Sequence, residues 1–221
     1  MKNYIKRTGK LLFGLFIYSL GLTLSIQANV GLAPWDAFSI GVSNLTGISY
    51  GNVSILTGLV ILVVAAGYLK EKIGFGTLLN TVLIGIFVDL FQTIKIIPLM
   101  SNFFLGVIML LLGQFTVSFA TYFYIRPGLG CGPRDTLMVA LGKRFKNIPI
   151  GAIRGMIEGT VLIIGFILGA KVGIGTVIAV FGISFILQNT FKLLKFDIKA
   201  VIHENIFETF NNVKNIISSA T

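Results

Sequence analysis

The stretch LLFGLFIYSLGLTLSIQANVGLAPWD at 11–36 returns, 99 positions later, as LLLGQFTVSFATYFYIRPGLGCGPRD at 110–135. Nine aligned pairs are identical, among them Gly31/Gly130, Pro34/Pro133 and Asp36/Asp135, where shared apolar usage alone accounts for about two or three. The same offset aligns LKEKIGFGT (69–77) with LGAKVGIGT (168–176). Each copy therefore holds an apolar helix of spanning length, a Gly/Pro-rich polar break and two further apolar stretches.

Over the whole chain the composition is that of a membrane protein. Of 221 residues 55% are apolar and only 12% charged, with mean hydropathy +0.91; a soluble domain carries about 25% charged residues. A spanning helix needs about 20 apolar residues, and six such stretches lie near 9–28, 51–69, 73–94, 103–125, 149–170 and 172–191. A soluble enzyme or transcription factor is excluded. The first stretch imitates a signal peptide, but Ile26 and Ala28 make a poor small-x-small cleavage site, so the reading keeps it as a span. The single Cys131 and single His203 leave no disulfide and no Cys/His zinc cluster, and nothing implies a cofactor or a resident metal.

The net charge of +10 reads as an orientation signal. With both termini in the cytoplasm, Lys70, Lys72, Arg126, Arg134 and the basic run at 143–146 fall inside, leaving Lys95 and Lys171 outside. Nucleic-acid binding is not expected. Residues 27–50 carry only Asp36, whereas the matching 126–149 carry five basic residues, so the equivalent breaks are expected on opposite faces. The expected fold is all-α, with six transmembrane helices as two inverted three-helix repeats, 1–100 and 101–194, and a cytoplasmic amphipathic tail at 195–221. In the tail Ile198, Val201, Ile202, Ile206, Phe210, Val213 and Ile217 fall at helical spacing beside Lys195 and Lys199, with His203 at the wet edge.

Each break is followed by a helix start. Pro34 and Pro133 suit the first turn, and Asp36 and Asp135 suit the free N–H groups two residues on. About 10 to 13 helical residues follow, which is 15 to 20 Å and too short to span. Half-helices at 33–46 and 132–145 are therefore expected to be re-entrant, a form allowed at membrane depth only against protein or a water-filled cavity. Paired half-helices build transporter sites, making Pro34, Trp35, Asp36, Pro133, Arg134 and Asp135 the candidate substrate-binding residues. The alternative is that each Asp serves only its own helix, with Trp35 an interfacial anchor.

Charges inside spans need a partner or water. Arg154 and Glu158 lie one helical turn apart and form an i, i+4 pair, either mutually neutralising or serving as a gate or coupling pair. Asp89 is a third coupling or gating candidate, or a wet residue near the outer surface. Asn80, Gln92, Gln114, Gln188 and Asn189 either line a pathway or join helices.

GLAPWDAF after the first span and GLGCGPRDTLMVAL after the fourth, on a small basic six-span frame, resemble the bacterial YczE/YyaS/YitT family of integral membrane proteins, nearest its YczE branch. The resemblance covers about 10–192, and GPRD is its most specific element. The short tail stands where YitT-type members carry a soluble domain. The resemblance implies the bacterial cytoplasmic membrane and carries no substrate with it. The expected function is a small secondary transporter or channel-like permease for a small polar or charged solute; the alternative is a non-transporting accessory or scaffold protein acting on a cytoplasmic partner. Its partners are then the lipid bilayer and that unknown polar or ionic solute, and the glycine content permits a homodimer. No enzyme motif is present.

Overall fold

The computed structural model describes residues 2–197 and 200–218. Ile198 and Lys199 of the expected tail lie outside them, as does the side chain of Ile217. The described residues are helical throughout, with no strand: α1 (Lys2–Gln27), α2 (Pro34–Thr46), α3 (Tyr50–Val63, prolonged by a π-helical turn Val64–Tyr68), α4 (Phe75–Ile94), α5 (Phe103–Ile125), α6 (Pro133–Arg144), α7 (Ile150–Ile167), α8 (Ile174–Leu193) and α9 (Ile206–Ser218). Six are long and apolar enough to cross a membrane: α1, α3 with its π turn, α4, α5, α7 and α8. Their outward faces carry large apolar side chains such as Val63, Phe104, Phe166 and Phe181, as a lipid solvent requires. The chain is thus a multi-pass membrane protein.

The most extensive helix packing joins α1 to α5, the two copies of the repeated segment. Small residues make it possible: a Cβ on Gly21 would sit 2.8 Å from the Gly113 carbonyl oxygen, and one on Gly14 would sit 2.7 Å from the Tyr124 amide nitrogen. Close backbone approach of this kind drives association where no hydrophobic effect separates helix from lipid. Leu11, Leu15, Leu22, Val117 and Tyr124 fill the seam, with Ile84 and Val88 from α4.

Between the long helices, α2 and α6 span only 13 and 12 residues, about 18 to 20 Å. Their starts at Pro34 and Pro133 match the sequence expectation to within a residue. Each packs on a helix of the other half, α2 on α7 and α6 on α3. The segment leading into each is held by the other half too. Val30 accepts from the Gly175 amide at 2.9 Å and Leu129 from the Gly76 amide at 2.6 Å, two bonds whose donors and acceptors both differ by 99 positions. Gly31 and Gly130 have φ of +133° and +124°, which only glycine adopts without strain, and a Cβ on Gly31 would lie 2.7 Å from the Thr176 amide.

The tail departs from expectation. The spacing predicts a helix from about 195, but α9 begins only at Ile206. Before it, Phe196 and Val201 pack into the α1–α5 core, and the backbone of 204–206 is held by carbonyls of other loops: Glu204 donates to Gly128 at 2.8 Å and Ile206 to Ile73 at 3.0 Å. Tertiary partners for these groups outweigh a helix there. Asn205 then caps α9 reciprocally with Glu208, at 2.9 and 3.0 Å.

Candidate functional site

Both half-helices begin at one cavity of about 200 Å3 between the two halves. Of the nine residues singled out from the sequence, Pro34, Trp35, Asp36, Pro133, Arg134, Asp135, Arg154 and Glu158 line it, and Asp89 does not. Asp89 instead accepts the Ser49 hydroxyl at 2.5 Å and the Gly51 amide at 2.7 Å, joining α4 to the N-terminus of α3. Arg154 and Glu158 are the expected i, i+4 pair, at 2.7 Å.

The helix starts expose donors. The first internal bonds run from Ala37 to Ala33, at 2.8 Å, and from Thr136 to Gly132, at 3.0 Å. The amides of Trp35, Asp36, Arg134 and Asp135 therefore precede any helical acceptor. Ala33 and Gly132 contribute no side-chain cap.

Asp36 is buried and accepts the Tyr50 hydroxyl at 2.8 Å. The Arg134 guanidinium lies 5.1 Å from the centre of the Trp35 ring, a cation–π contact worth about 0.5 to 2 kcal/mol depending on desolvation. Trp35 is thus half-buried in the cavity wall beneath a cation. Neither Arg134 nor Asp135 has an opposite charge within 4.0 Å among the described residues.

Above them on α5, Gln114 lines the cavity at 4% exposure, and neither its amide oxygen nor its nitrogen has a hydrogen-bond partner among the described residues. Gly182 of α8 faces it, so close that a Cβ there would lie 2.8 Å from Oε1. Asn80 lines the cavity as well, whereas Gln92, Gln188 and Asn189 do not. Reasoning from sequence missed Tyr18, Tyr50 and Tyr124, which also surround the site. Tyr50 and Tyr124 lie at the ends of apolar stretches, where a tyrosine reads as a boundary residue, and Tyr18 lies within one with no pattern to mark it. Cys131 lies one residue before the α6 cap with its sulfur 3.4 Å from the Thr136 hydroxyl, half-buried and free.

Over 5–192 the chain matches the family model described as a family of unknown function, DUF6198. It is 35% identical to an uncharacterized protein of Haemophilus influenzae, across 80% of each chain. It is also 32% identical to the uncharacterized membrane protein YczE of Bacillus subtilis, across 75% of this chain and 76% of that one, and 27% identical to the uncharacterized protein YyaS of the same organism, across 76% and 83%. No solved structure matches. With its membrane helices matched almost end to end, and with YczE and YyaS as relatives, the chain belongs to the DUF6198 family of membrane proteins.

Proposed function

We propose that the protein is a small secondary transporter or channel-like permease, carrying a small polar or charged solute through a midplane site between α2 and α6. In this reading the halves are inverted repeats, 1–100 and 101–194, both half-helices are re-entrant, the termini are cytoplasmic and the membrane is the bacterial plasma membrane. The observation that carries it is the convergence of two uncapped helix starts, 99 residues apart in the chain, with the Arg154/Glu158 pair on one cavity. Five charged residues on a membrane cavity are costly at about 2.5 to 3.5 kcal/mol each at the bilayer centre, and a solute pathway is the function that cost serves. The exchanged contacts at an offset of 99 support the repeat reading.

Cysteine accessibility tests it. In a Cys131→Ala background, single cysteines at positions 33–40 should label with an impermeant thiol reagent from outside and those at 132–139 from inside, each set fading with depth. Labelling of both sets from one side overturns the proposal. The accessory alternative draws on one observation, the exposed Ile202, Phe207 and Phe210 of the tail. Deleting residues from 206 onward should leave solute movement unchanged; loss of phenotype with the cavity intact would favour a partner at the tail.

A further inference from the structure

Charges around the cavity fall into two groups. Three are already engaged: Arg154 with Glu158 at 2.7 Å, and Asp36 with the Tyr50 hydroxyl at 2.8 Å. Two are not. Arg134 and Asp135, consecutive residues of the α6 start, both line the cavity without an opposite charge within 4.0 Å among the described residues. Arg134 is held in place over the Trp35 ring, which orients a guanidinium without neutralising it.

We propose that the solute is a small zwitterion of amino-acid size. This rests on the transport reading of the cavity and adds the substrate class to it. An anion alone would bring a like charge close to Asp135, and a cation alone would do the same to Arg134. A solute bearing both charges neutralises both and leaves the site electrically unchanged, the cheapest outcome in a low-dielectric setting. Its carboxylate meets the Arg134 fork, which suits bidentate binding, together with the free amides at the starts of α2 and α6. Its ammonium group meets Asp135.

Gln114 supplies the independent sign of a ligand. Its buried amide has one acceptor and two donors and no partner among the described residues, so a further polar group of the solute completes it. A cavity of about 200 Å3 falls below the roughly 300 to 1,000 Å3 of sites for drug-sized molecules, which sets the size limit.

The protein carries its own reporter, because its single tryptophan is Trp35. A solute that draws Arg134 from the ring must change its emission. The full chain in lipid nanodiscs is titrated with α-amino acids up to the size of glutamine and with β-alanine, against the carboxylate-only propionate and the amine-only propylamine. At least one zwitterion is expected to give a saturable change at concentrations tenfold below any response to propionate or propylamine. Arg134→Lys, which keeps the charge and loses the fork, and Asp135→Asn should each weaken it about tenfold or more, and Gln114→Leu should weaken it with the protein fully folded. Silence from every zwitterion, or equal binding of propionate or propylamine, overturns the inference. The cysteine-labelling experiment reads the site without any ligand: opposite-side labelling with silent zwitterions discards the substrate class alone, whereas same-side labelling discards the transport reading beneath it.

Discussion

Asp36 and Asp89 are both carboxylates that accept a hydroxyl, and their surroundings give them different work. Asp89 holds Ser49 and Gly51 and lies away from the cavity, so it anchors the start of α3. Asp89→Ala leaves those donors without their acceptor and should destabilise the purified protein by about 1 to 3 kcal/mol, read as a lower Tm, with Trp35 emission unchanged. Gln114 has the opposite signature. Its repeat counterpart is Leu15, fully buried in the core, so a leucine fits that place in the helix seam. Gln114→Leu removes two unpartnered polar atoms and should raise Tm in the absence of solute, by about 1 to 3 kcal/mol of stability. A fall in Tm would show that the amide is already satisfied in the resting protein.

Among the elements, the tail before α9 is the one whose docking depends on protonation. The His203 ring accepts the Gly130 amide at 3.2 Å through Nδ1, which requires the neutral form. Burial against that loop lowers its pKa. The folded state therefore binds this proton less readily than the unfolded one, and stability rises with pH through the window: docking is complete above the usual histidine value of about 6.5 and weakens as pH falls from there through the depressed folded value. Burial raises the Glu204 carboxyl, but hydrogen bonds from Arg7 and Tyr4 more than offset it and leave it below the usual carboxylate range. Its contribution is present above the ordinary glutamate value and is lost only at lower pH, after that of His203. Along this segment Arg7 pairs with Glu204 at 2.7 Å and Lys72 with Glu208 at 3.8 Å. Hydrogen exchange over 200–210 should accelerate as pH falls from 7.5 to 5.5, after correction for intrinsic rates. His203→Asn keeps an acceptor in a similar place without titrating in that range and should abolish the change; persistence of the effect would assign it to another group.

For the molecule as a whole, the two halves share contacts but not closure. In the first half α3 packs along α4: a Cβ on Gly85 would lie 2.5 Å from the Gly51 carbonyl oxygen, and one on Gly58 would lie 2.6 Å from the Thr81 methyl. In the second half Gly151 and Gly159, which align with Gly51 and Gly58 once the repeat register drifts to offsets of 100 and 101, have open space around them, as does Gly155. There α7 packs on α2 rather than along α8. Gly85→Ala should thus lower stability by about 1 to 3 kcal/mol through overpacking, whereas Gly155→Leu should leave stability within about 0.5 kcal/mol of the parent, each read from Tm. If solute movement requires α7 to approach α8 as α3 approaches α4, Gly155→Leu should slow it at unchanged stability. Normal uptake in that variant would mean the α7–α8 gap is permanent.

Much of this was legible before any coordinate. Apolar run lengths set the six long helices, because a helix that crosses lipid must be apolar over a length dictated by bilayer thickness. Pro34 and Pro133 marked two helix starts, because proline at a first turn is a local effect of backbone chemistry, and the Arg154/Glu158 pair followed from the pitch of one helix. What required the tertiary structure involves residues far apart in sequence. That the two starts converge on a single cavity, that Tyr50 reaches Asp36, that Asp89 serves α3 instead of the cavity and that Gln114 lacks a partner among the described residues all depend on which helix lies beside which. So does the tail, where Val201 belongs to the expected helical pattern but packs into the core beside Phe196. Periodicity reports which side of a helix is apolar, and only packing decides which neighbour it meets and which polar groups are left facing the space between.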